Sequence, residues 1–179
     1  TGVQTCALPI SFKVDQADLL TGGSIVGSSG TDTLLAAGTT LDLRSTTLSS
    51  VEVLKADSSN ATTFAVDQND LFNGGSVVGG AGTDALAAAG SLLDLTSTTL
   101  SSVEILKSGS NVATTFVIDQ DDLANGGSVL TGGTGLDTLV INGTLLDLSS
   151  TTTNSIDILK TGASLATTFI VDQADLRAG

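Results

Sequence analysis

Residues 64–115 read FAVDQNDLFNGGSVVGGAGTDALAAAGSLLDLTSTTLSSVEILKSGSNVATT, and this 52-residue unit occurs three times before it restarts. Its copies open at phenylalanines spaced by 52, 52 and 53 residues, namely Phe12, Phe64, Phe116 and Phe169. A period of this size with almost no insertion is typical of stacked supersecondary units whose neighbours bury one another's faces. The sequence therefore predicts one repeat domain over residues 12–179, with units at 12–63, 64–115 and 116–168 and a partial unit at 169–179.

Short segments within each unit alternate apolar and polar residues, as half-buried β-strands do. In the second unit these segments are Thr63–Val66, Ser76–Val78, Asp84–Leu86, Leu93–Leu95 and Val103–Leu106. Gly, Asn, Ser and Thr separate them, and only 67–72 could form a helical turn. Because a coil of three short strands takes about 22 to 26 residues, 52 residues fit two coils. We predict an all-β, right-handed parallel β-helix (β-solenoid) with two coils per repeat. A tandem array of β-sandwiches is disfavoured, since one sandwich takes about 100 residues.

The direction of the side chains follows from the alternation. Leu93 and Leu95 flank Asp94, and the other units repeat this pattern, so the leucines should face inward and the aspartate outward. On the same reasoning, the opening phenylalanines should form an aromatic ladder inside the solenoid.

Composition excludes several classes of function. The chain has 19 acidic and 6 basic residues, a net charge of −13, which disfavours nucleic acid and anionic membranes as partners. It has no His and one Cys, so the usual general base, an internal disulfide and a multi-Cys metal site are missing. No apolar run approaches the roughly 20 residues of a membrane helix, and no membrane insertion is expected.

The two ends of the chain differ from the repeats. Residues 1–10, TGVQTCALPI, hold Cys6 and Pro9 and resemble the translation of a sequencing adapter. We therefore treat residues 1–11 as a non-native, adapter-like segment. The last unit breaks off at Gly179, and the chain is expected to be a fragment whose partners are neighbouring repeats of a longer protein.

The nonapeptide at 79–87, GGAGTDALA, matches the pattern G-G-x-G-x-D-x-U-x, where U is a large apolar residue. The nonapeptide at 132–140 also matches, whereas 27–35 departs at its second glycine. This motif resembles the calcium-binding β-rolls of RTX-type, haemolysin-like proteins. The resemblance implies calcium as a cofactor, held at the turns by the following residues: Asp32, Asp84, Asp137, Gly79, Gly80, Gly82, Gly132, Gly133 and Gly135.

A structural role for the same turns is the alternative. The nonapeptides are not in tandem, and with two coils per repeat like turns would lie about 9.6 Å apart, too far for one ion to bridge. A site would then need the intervening turn at 73–75 or 125–127 as partner, or a single loop. In the structural interpretation, glycine supplies positive φ for a tight corner and aspartate caps the turn.

Further carboxylates recur in every unit. They are Asp15, Asp67, Asp119 and Asp172; Asp18, Asp70, Asp122 and Asp175; and Glu52, Glu104 and Asp157. A catalytic pair is needed once, so repetition indicates solvated faces, turn caps and ion pairs with Lys55, Lys107 and Lys160. No catalytic residue is assigned, and the chain is predicted not to be an enzyme.

The larger unit is similar to the long repeats of bacterial adhesins and S-layer-like proteins. That resemblance implies a non-enzymatic spacer segment of a large exported protein, secreted or at the bacterial cell surface. The alternative is part of a β-helical polysaccharide-active enzyme, or a calcium-binding accessory module of an extracellular enzyme. A carboxylate, Arg or aromatic cluster present in only one unit would favour the alternative, and only single differences such as Arg44 and Phe72 occur.

Overall fold

The computed structural model describes residues 8–123, 129–162, 164 and 166–175. Its β-strands are β1 Ser11–Val14, β2 Ser24–Val26, β3 Thr33–Ala36, β4 Thr40–Asp42, β5 Thr47–Ser49, β6 Val53–Ala56, β7 Thr63–Val66, β8 Ser76–Val78, β9 Ala85–Ala88, β10 Leu92–Asp94, β11 Thr99–Ser101, β12 Ile105–Ser108, β13 Thr115–Ile118, β14 Val129–Thr131, β15 Thr138–Ile141, β16 Leu145–Asp147, β17 Thr152–Asn154, β18 Ile158–Thr161 and β19 Thr168–Ile170. Three 3₁₀ turns span Gln16–Asp18, Gln68–Asp70 and Asp121–Leu123.

All strand pairs are parallel, and the strands stack as a β-solenoid of about seven coils. This confirms the predicted fold class. In the stack, Leu34 of one coil pairs with Leu54 of the next, and Leu54 in turn pairs with Val77. Such short strands are stable here because each pairs with the coil above and the coil below, which satisfies the backbone of both edges.

The solenoid has three faces, which we number by their strands. Face 1 contains β1, β3, β6, β8 and β11, and then β16 and β19; face 2 contains β4, β7, β9, β12, β14 and β17; face 3 contains β2 and β5, and then β10, β13, β15 and β18. A 3₁₀ turn takes the place of a strand once on each face. The turn at 68–70 divides face 3 after β5, and the turn at 121–123 divides face 1 after β11.

One 52-residue repeat makes two coils and one further side. Each repeat supplies six strands and one 3₁₀ turn, that is, seven sides for three faces. The additional side comes from a strand that the alternation did not indicate, Thr99–Ser101 in the second repeat. Equivalent elements therefore move to the next face with each repeat: β1 lies on face 1, β7 on face 2 and β13 on face 3.

Inward-facing aliphatic side chains form one continuous core. Leu93 and Leu95 are buried as predicted, whereas Asp94 between them is partly exposed. Phe64 and Phe116 are also fully buried. They do not form the predicted aromatic ladder, because each repeat turns its phenylalanine onto another face. Each phenylalanine stacks instead on leucines, as Phe64 does on Leu41 and Leu86.

The first coil begins close to the predicted boundary of the adapter-like segment. Ser11 is the first residue of β1, and the backbone N–H of Thr33 donates to the carbonyl of Ile10. Residues 1–7, including Cys6, lie outside the described residues, as do residues 176–179 of the partial repeat.

Candidate functional site

The aspartates of the three nonapeptides lie at corners of the solenoid and are completely buried. Asp32, Asp84 and Asp137 each have 0% of their surface exposed. Each comes directly before a strand, so the strand fixes its backbone while its side chain points back into the corner. A buried carboxylate is costly unless its oxygens accept hydrogen bonds, and the surrounding coils supply these bonds.

Asp84 joins its own coil to the preceding one through its carboxylate. Its Oδ1 accepts the backbone N–H of Thr62 in the preceding coil at 2.6 Å, and its Oδ2 accepts the N–H of Gly80 in its own loop at 2.6 Å. Hydrogen bonds to a charged acceptor are roughly twice as strong as those between neutral groups. The carboxylate therefore replaces the ladder hydrogen bonds that the corner cannot make.

The backbone of Asp84 continues the connection into the following coil. Its N–H donates to the Glu104 carboxylate at 2.8 Å, and its carbonyl accepts the N–H groups of Glu104 and Ile105, both at 3.0 Å. One aspartate thus bridges three successive coils. We call this arrangement the aspartate junction: the nonapeptide Asp, its two backbone donors and the acidic residue of the following coil.

The same junction occurs in the other two repeats. At Asp137 the donors are Thr114 at 2.7 Å and Gly133 at 2.6 Å, and the Asp137 N–H donates to Asp157 at 2.7 Å. At Asp32 the donors are Ser28 and Ile10, and these backbone N–H groups lower the pKa of the Asp32 carboxyl below its ordinary value.

The glycines of the nonapeptides are required by close packing between coils. A Cβ on Gly79 would lie 1.7 Å from the carbonyl oxygen of Ser102 in the following coil. A Cβ on Gly80 or Gly82 would lie 2.2 or 2.4 Å from backbone of the preceding coil. The corresponding distances at Gly132, Gly133 and Gly135 are 1.9, 2.8 and 2.8 Å. None of these six has a positive φ, so the expected reason, a left-handed corner, is wrong.

The left-handed conformation is adopted instead by the serine that lies opposite the first glycine of each nonapeptide. Ser50, Ser102 and Ser155 all have φ of 51°. Their carbonyl oxygens point at Gly27, Gly79 and Gly132 respectively. A non-glycine residue in this region costs of order 1 kcal/mol or more, and it persists only where the surroundings fix it. Here the glycine makes room for the carbonyl.

The three nonapeptide turns lie at three different corners. The loop at 27–32 connects faces 3 and 1, the loop at 79–84 connects faces 1 and 2, and the loop at 132–137 connects faces 2 and 3. They are therefore not stacked two coils apart, as a repeat of two whole coils would require.

The intervening turns do not complete a calcium site with Asp84. The turn at 73–75 connects faces 3 and 1, so it does not share a corner with the loop that carries Asp84. The other turn considered as a partner, 125–127, lies outside the described residues.

Calcium takes six to eight oxygen ligands at 2.3–2.6 Å. Within the described residues, no group of three or more Asp, Glu, His or Cys side chains is arranged to hold a metal ion. Both oxygens of the Asp84 and Asp137 carboxylates accept backbone N–H groups. This geometry supports the structural interpretation of the turns.

The other repeated carboxylates divide into two groups. Asp67 caps the N-terminus of a 3₁₀ turn by accepting the N–H of Asn69, and Asp15, Asp119 and Asp172 accept an N–H in the same way, as predicted. Asp70 and Asp122 are only 4% exposed, so the expected solvated face is wrong for them. Burial raises the pKa of both carboxyls to about 7.

The predicted ion pairs with Lys55, Lys107 and Lys160 do not occur among the described residues. The ion pairs found there are Lys13–Asp57 and Arg44–Asp42. Glu52, Glu104 and Asp157 accept backbone N–H groups of the aspartate junctions instead.

A repeated glutamine completes the ladder where a 3₁₀ turn interrupts a face. The side-chain amide of Gln68 donates to the Asp94 carbonyl at 3.1 Å and accepts the Asp94 N–H at 2.7 Å, so it replaces a peptide group. Gln16 and Gln120 pair in the same way with Asp42 and Asp147. The sequence reasoning missed this role, although a glutamine between two capping aspartates in every unit was a visible signal.

Comparison with protein-family models, with curated proteins and with solved structures finds no match to this chain. Among the described residues, no helix is long and apolar enough to cross a membrane.

Proposed function

We propose that the chain is a non-enzymatic spacer segment of a large exported bacterial surface protein, of the adhesin, RTX-like or S-layer-like kind. The observation that carries the proposal is the use of the repeated polar residues. The aspartate junctions and the bridging glutamines bind backbone groups of neighbouring coils, in the same way in each repeat. A segment whose repeated polar groups hold its own coils together is suited to keeping other modules apart.

A spacer must be stiff, and the structure offers a direct way to measure this. Fluorophores attached at Lys13 in β1 and Lys160 in β18, after replacement by Cys in a Cys6→Ser background, report the distance between the first and last coils. We expect one narrow distance distribution by single-molecule energy transfer. A broad distribution, like that of a Gly/Ser linker of the same length, would contradict the proposal.

Length should also increase with the number of repeats. A second copy of residues 64–115 adds two and one third coils, and we expect about 11 Å of additional length at about 4.8 Å per coil, measured by small-angle scattering. Turnover of a polysaccharide by the chain would instead favour the enzyme alternative.

A further inference from the structure

The chain contains three Asn–Gly pairs, at 73–74, 125–126 and 142–143. In such a pair the main-chain nitrogen of the glycine can attack the side-chain amide of the asparagine, because glycine has no Cβ to block the approach. In a folded chain this attack also requires that the nitrogen is not held by another group. The pairs at 73–74 and 142–143 differ in this respect, whereas 125–126 lies outside the described residues.

The turn at Asn73 is held closed by hydrogen bonds. The Gly74 N–H donates to the carbonyl of Ser97 in the following coil at 2.9 Å, and the Gly75 N–H donates to the Phe72 carbonyl at 2.8 Å. Asn73 is exposed, but the Gly74 nitrogen must release the Ser97 carbonyl before it can turn towards the Asn73 side chain. The fold therefore protects this pair.

The connection at 142–144, between β15 and β16, leaves the corresponding nitrogen available. Asn142 is exposed, and its own N–H donates to the carbonyl of Ile118 at 2.7 Å. The carbonyl of Gly143 accepts the Thr167 hydroxyl at 2.9 Å, but the Gly143 N–H donates to no acceptor within the described part of the chain. A Cβ on Gly143 would meet nothing within 4 Å, so the space around this nitrogen is open.

The solenoid does not require an asparagine at this position. The equivalent residues of the first two repeats are Ala37 and Ala89, each also followed by glycine. Their N–H groups donate to the preceding coil at 2.8 and 2.7 Å, as the Asn142 N–H does. The backbone therefore forms the same corner with alanine, and the side-chain amide of Asn142 is an addition of the third repeat.

We propose that Asn142 is a modification site, at which the folded chain deamidates spontaneously. Hydroxide removes the proton of the Gly143 nitrogen, and this nitrogen bonds to Cγ of Asn142. The side-chain NH₂ group takes up a proton and leaves as ammonia, so a succinimide ring forms. Water then opens the ring at either carbonyl, which gives aspartate or isoaspartate. The site goes beyond the spacer role and is independent of it.

The two products differ in their effect on the solenoid. Aspartate adds one negative charge to the net charge of −13. Isoaspartate adds the same charge and also leads the main chain through the former side chain, which inserts one methylene between β15 and β16. The insertion lies at a corner and outside the strands, because β15 ends at Ile141 and β16 begins at Leu145.

Timed incubation of the full chain at about pH 8, followed by digestion and mass spectrometry, tests the proposal. We expect Asn142 to convert about tenfold faster than Asn73, since a hydrogen bond must break before Asn73 reacts. In urea both pairs should react at similar rates, because both are followed by glycine. Conversion of Asn73 as fast as that of Asn142 in the folded chain, or an Asn142 that stays unmodified there, would overturn the proposal.

Substitutions in the same connection identify the attacking atom. Gly143→Ala places a methyl group beside the nitrogen, where there is space for it, and conversion of Asn142 should slow by about tenfold. Gly90→Ala makes the same change at the equivalent glycine of the second repeat, which follows Ala89, and should leave the rate at Asn142 unchanged. An unchanged rate in Gly143→Ala would mean that water hydrolyses the amide directly, and would overturn the proposed reaction.

Discussion

At the scale of single residues, the aspartate junction shows how a motif associated with metal binding serves the backbone. Corners interrupt the ladder hydrogen bonds of a solenoid, and the donors left there must find other partners. Asp84 supplies two acceptor oxygens at once and is completely buried. The requirement for two acceptors explains why the residue is Asp and not Asn or Ser.

Asp84→Asn should therefore be destabilising, although asparagine is nearly isosteric. An amide offers one acceptor oxygen and one donor NH₂, so either the Thr62 or the Gly80 N–H loses its acceptor. We expect a loss of about 2–4 kcal/mol in urea unfolding. Asp94→Asn is the matched control: Asp94 accepts one turn N–H, from Thr96 at 3.0 Å, and an amide oxygen can replace that acceptor. Equal losses of stability in the two variants would contradict the hydrogen-bonding role that we assign to Asp84 in the aspartate junction.

Calcium provides a separate test of the same residues. If the junction aspartates act as hydrogen-bond acceptors, millimolar calcium and magnesium should raise the melting temperature equally, because both only screen the net charge of −13. A calcium-selective stabilisation, lost in Asp84→Asn combined with Asp137→Asn, would assign these turns to calcium.

Among the described glycines of the second repeat, Gly79 leaves the least room for a side chain. The Cβ of Gly79→Ala would lie 1.7 Å from the Ser102 carbonyl oxygen, so the backbone of one coil must move. We expect a loss of more than about 3 kcal/mol by urea unfolding. Gly90→Ala, where a Cβ meets nothing within 4 Å, should change stability by less than about 1 kcal/mol.

At the scale of elements, the 3₁₀ turns carry an unusual electrostatic cost. Asp70 and Asp122 cap their turns through the N–H groups of Asp67 and Asp119, but burial opposes their ionisation. The folded chain holds protons on these carboxyls up to a pH of about 7, whereas the unfolded chain releases them near pH 4. These groups therefore favour folding below pH 4, and their contribution is lost as the pH rises towards 7.

Urea unfolding should consequently show the chain to be less stable at about pH 8 than at about pH 5. The expected difference is on the order of 2 kcal/mol, and Asp70→Asn combined with Asp122→Asn should largely remove it, since asparagine can still accept the capping N–H. Stability that increases steadily over this range in the unsubstituted chain would contradict the burial of these carboxyls.

The sequence predicted the elements better than the connections between them. The alternation around Leu93 and Leu95 identified the core side chains, because inward positions must be apolar. The strand Thr99–Ser101 was missed because its residues are polar except for Leu100. The junction partners also could not be predicted, since Asp84 contacts Thr62 and Glu104 only because the lengths of the two neighbouring coils place them side by side.

At the scale of the whole molecule, the additional side in each repeat moves equivalent elements of successive repeats from one face of the solenoid to the next. The equivalent strands β1, β7 and β13 therefore lie on faces 1, 2 and 3, and three repeats place one copy of each element on every face. Two equivalent outward positions of successive repeats, Ala65 in β7 and Val117 in β13, therefore lie on faces 2 and 3. Ala65 and Lys107 instead share face 2, two coils apart through Ala87.

Spin labels distinguish this arrangement from a repeat of two whole coils. With labels on cysteines at 65 and 107 in a Cys6→Ser background, the separation of two coils is about 10 Å, and strong dipolar broadening is expected. Labels at 65 and 117 should show weaker broadening, because the body of the solenoid separates the two faces. Two whole coils per repeat would instead stack 65 and 117 on one face, with the same short separation. Broadening that is stronger for 65 and 117 than for 65 and 107 would therefore exclude the rotation of one face per repeat.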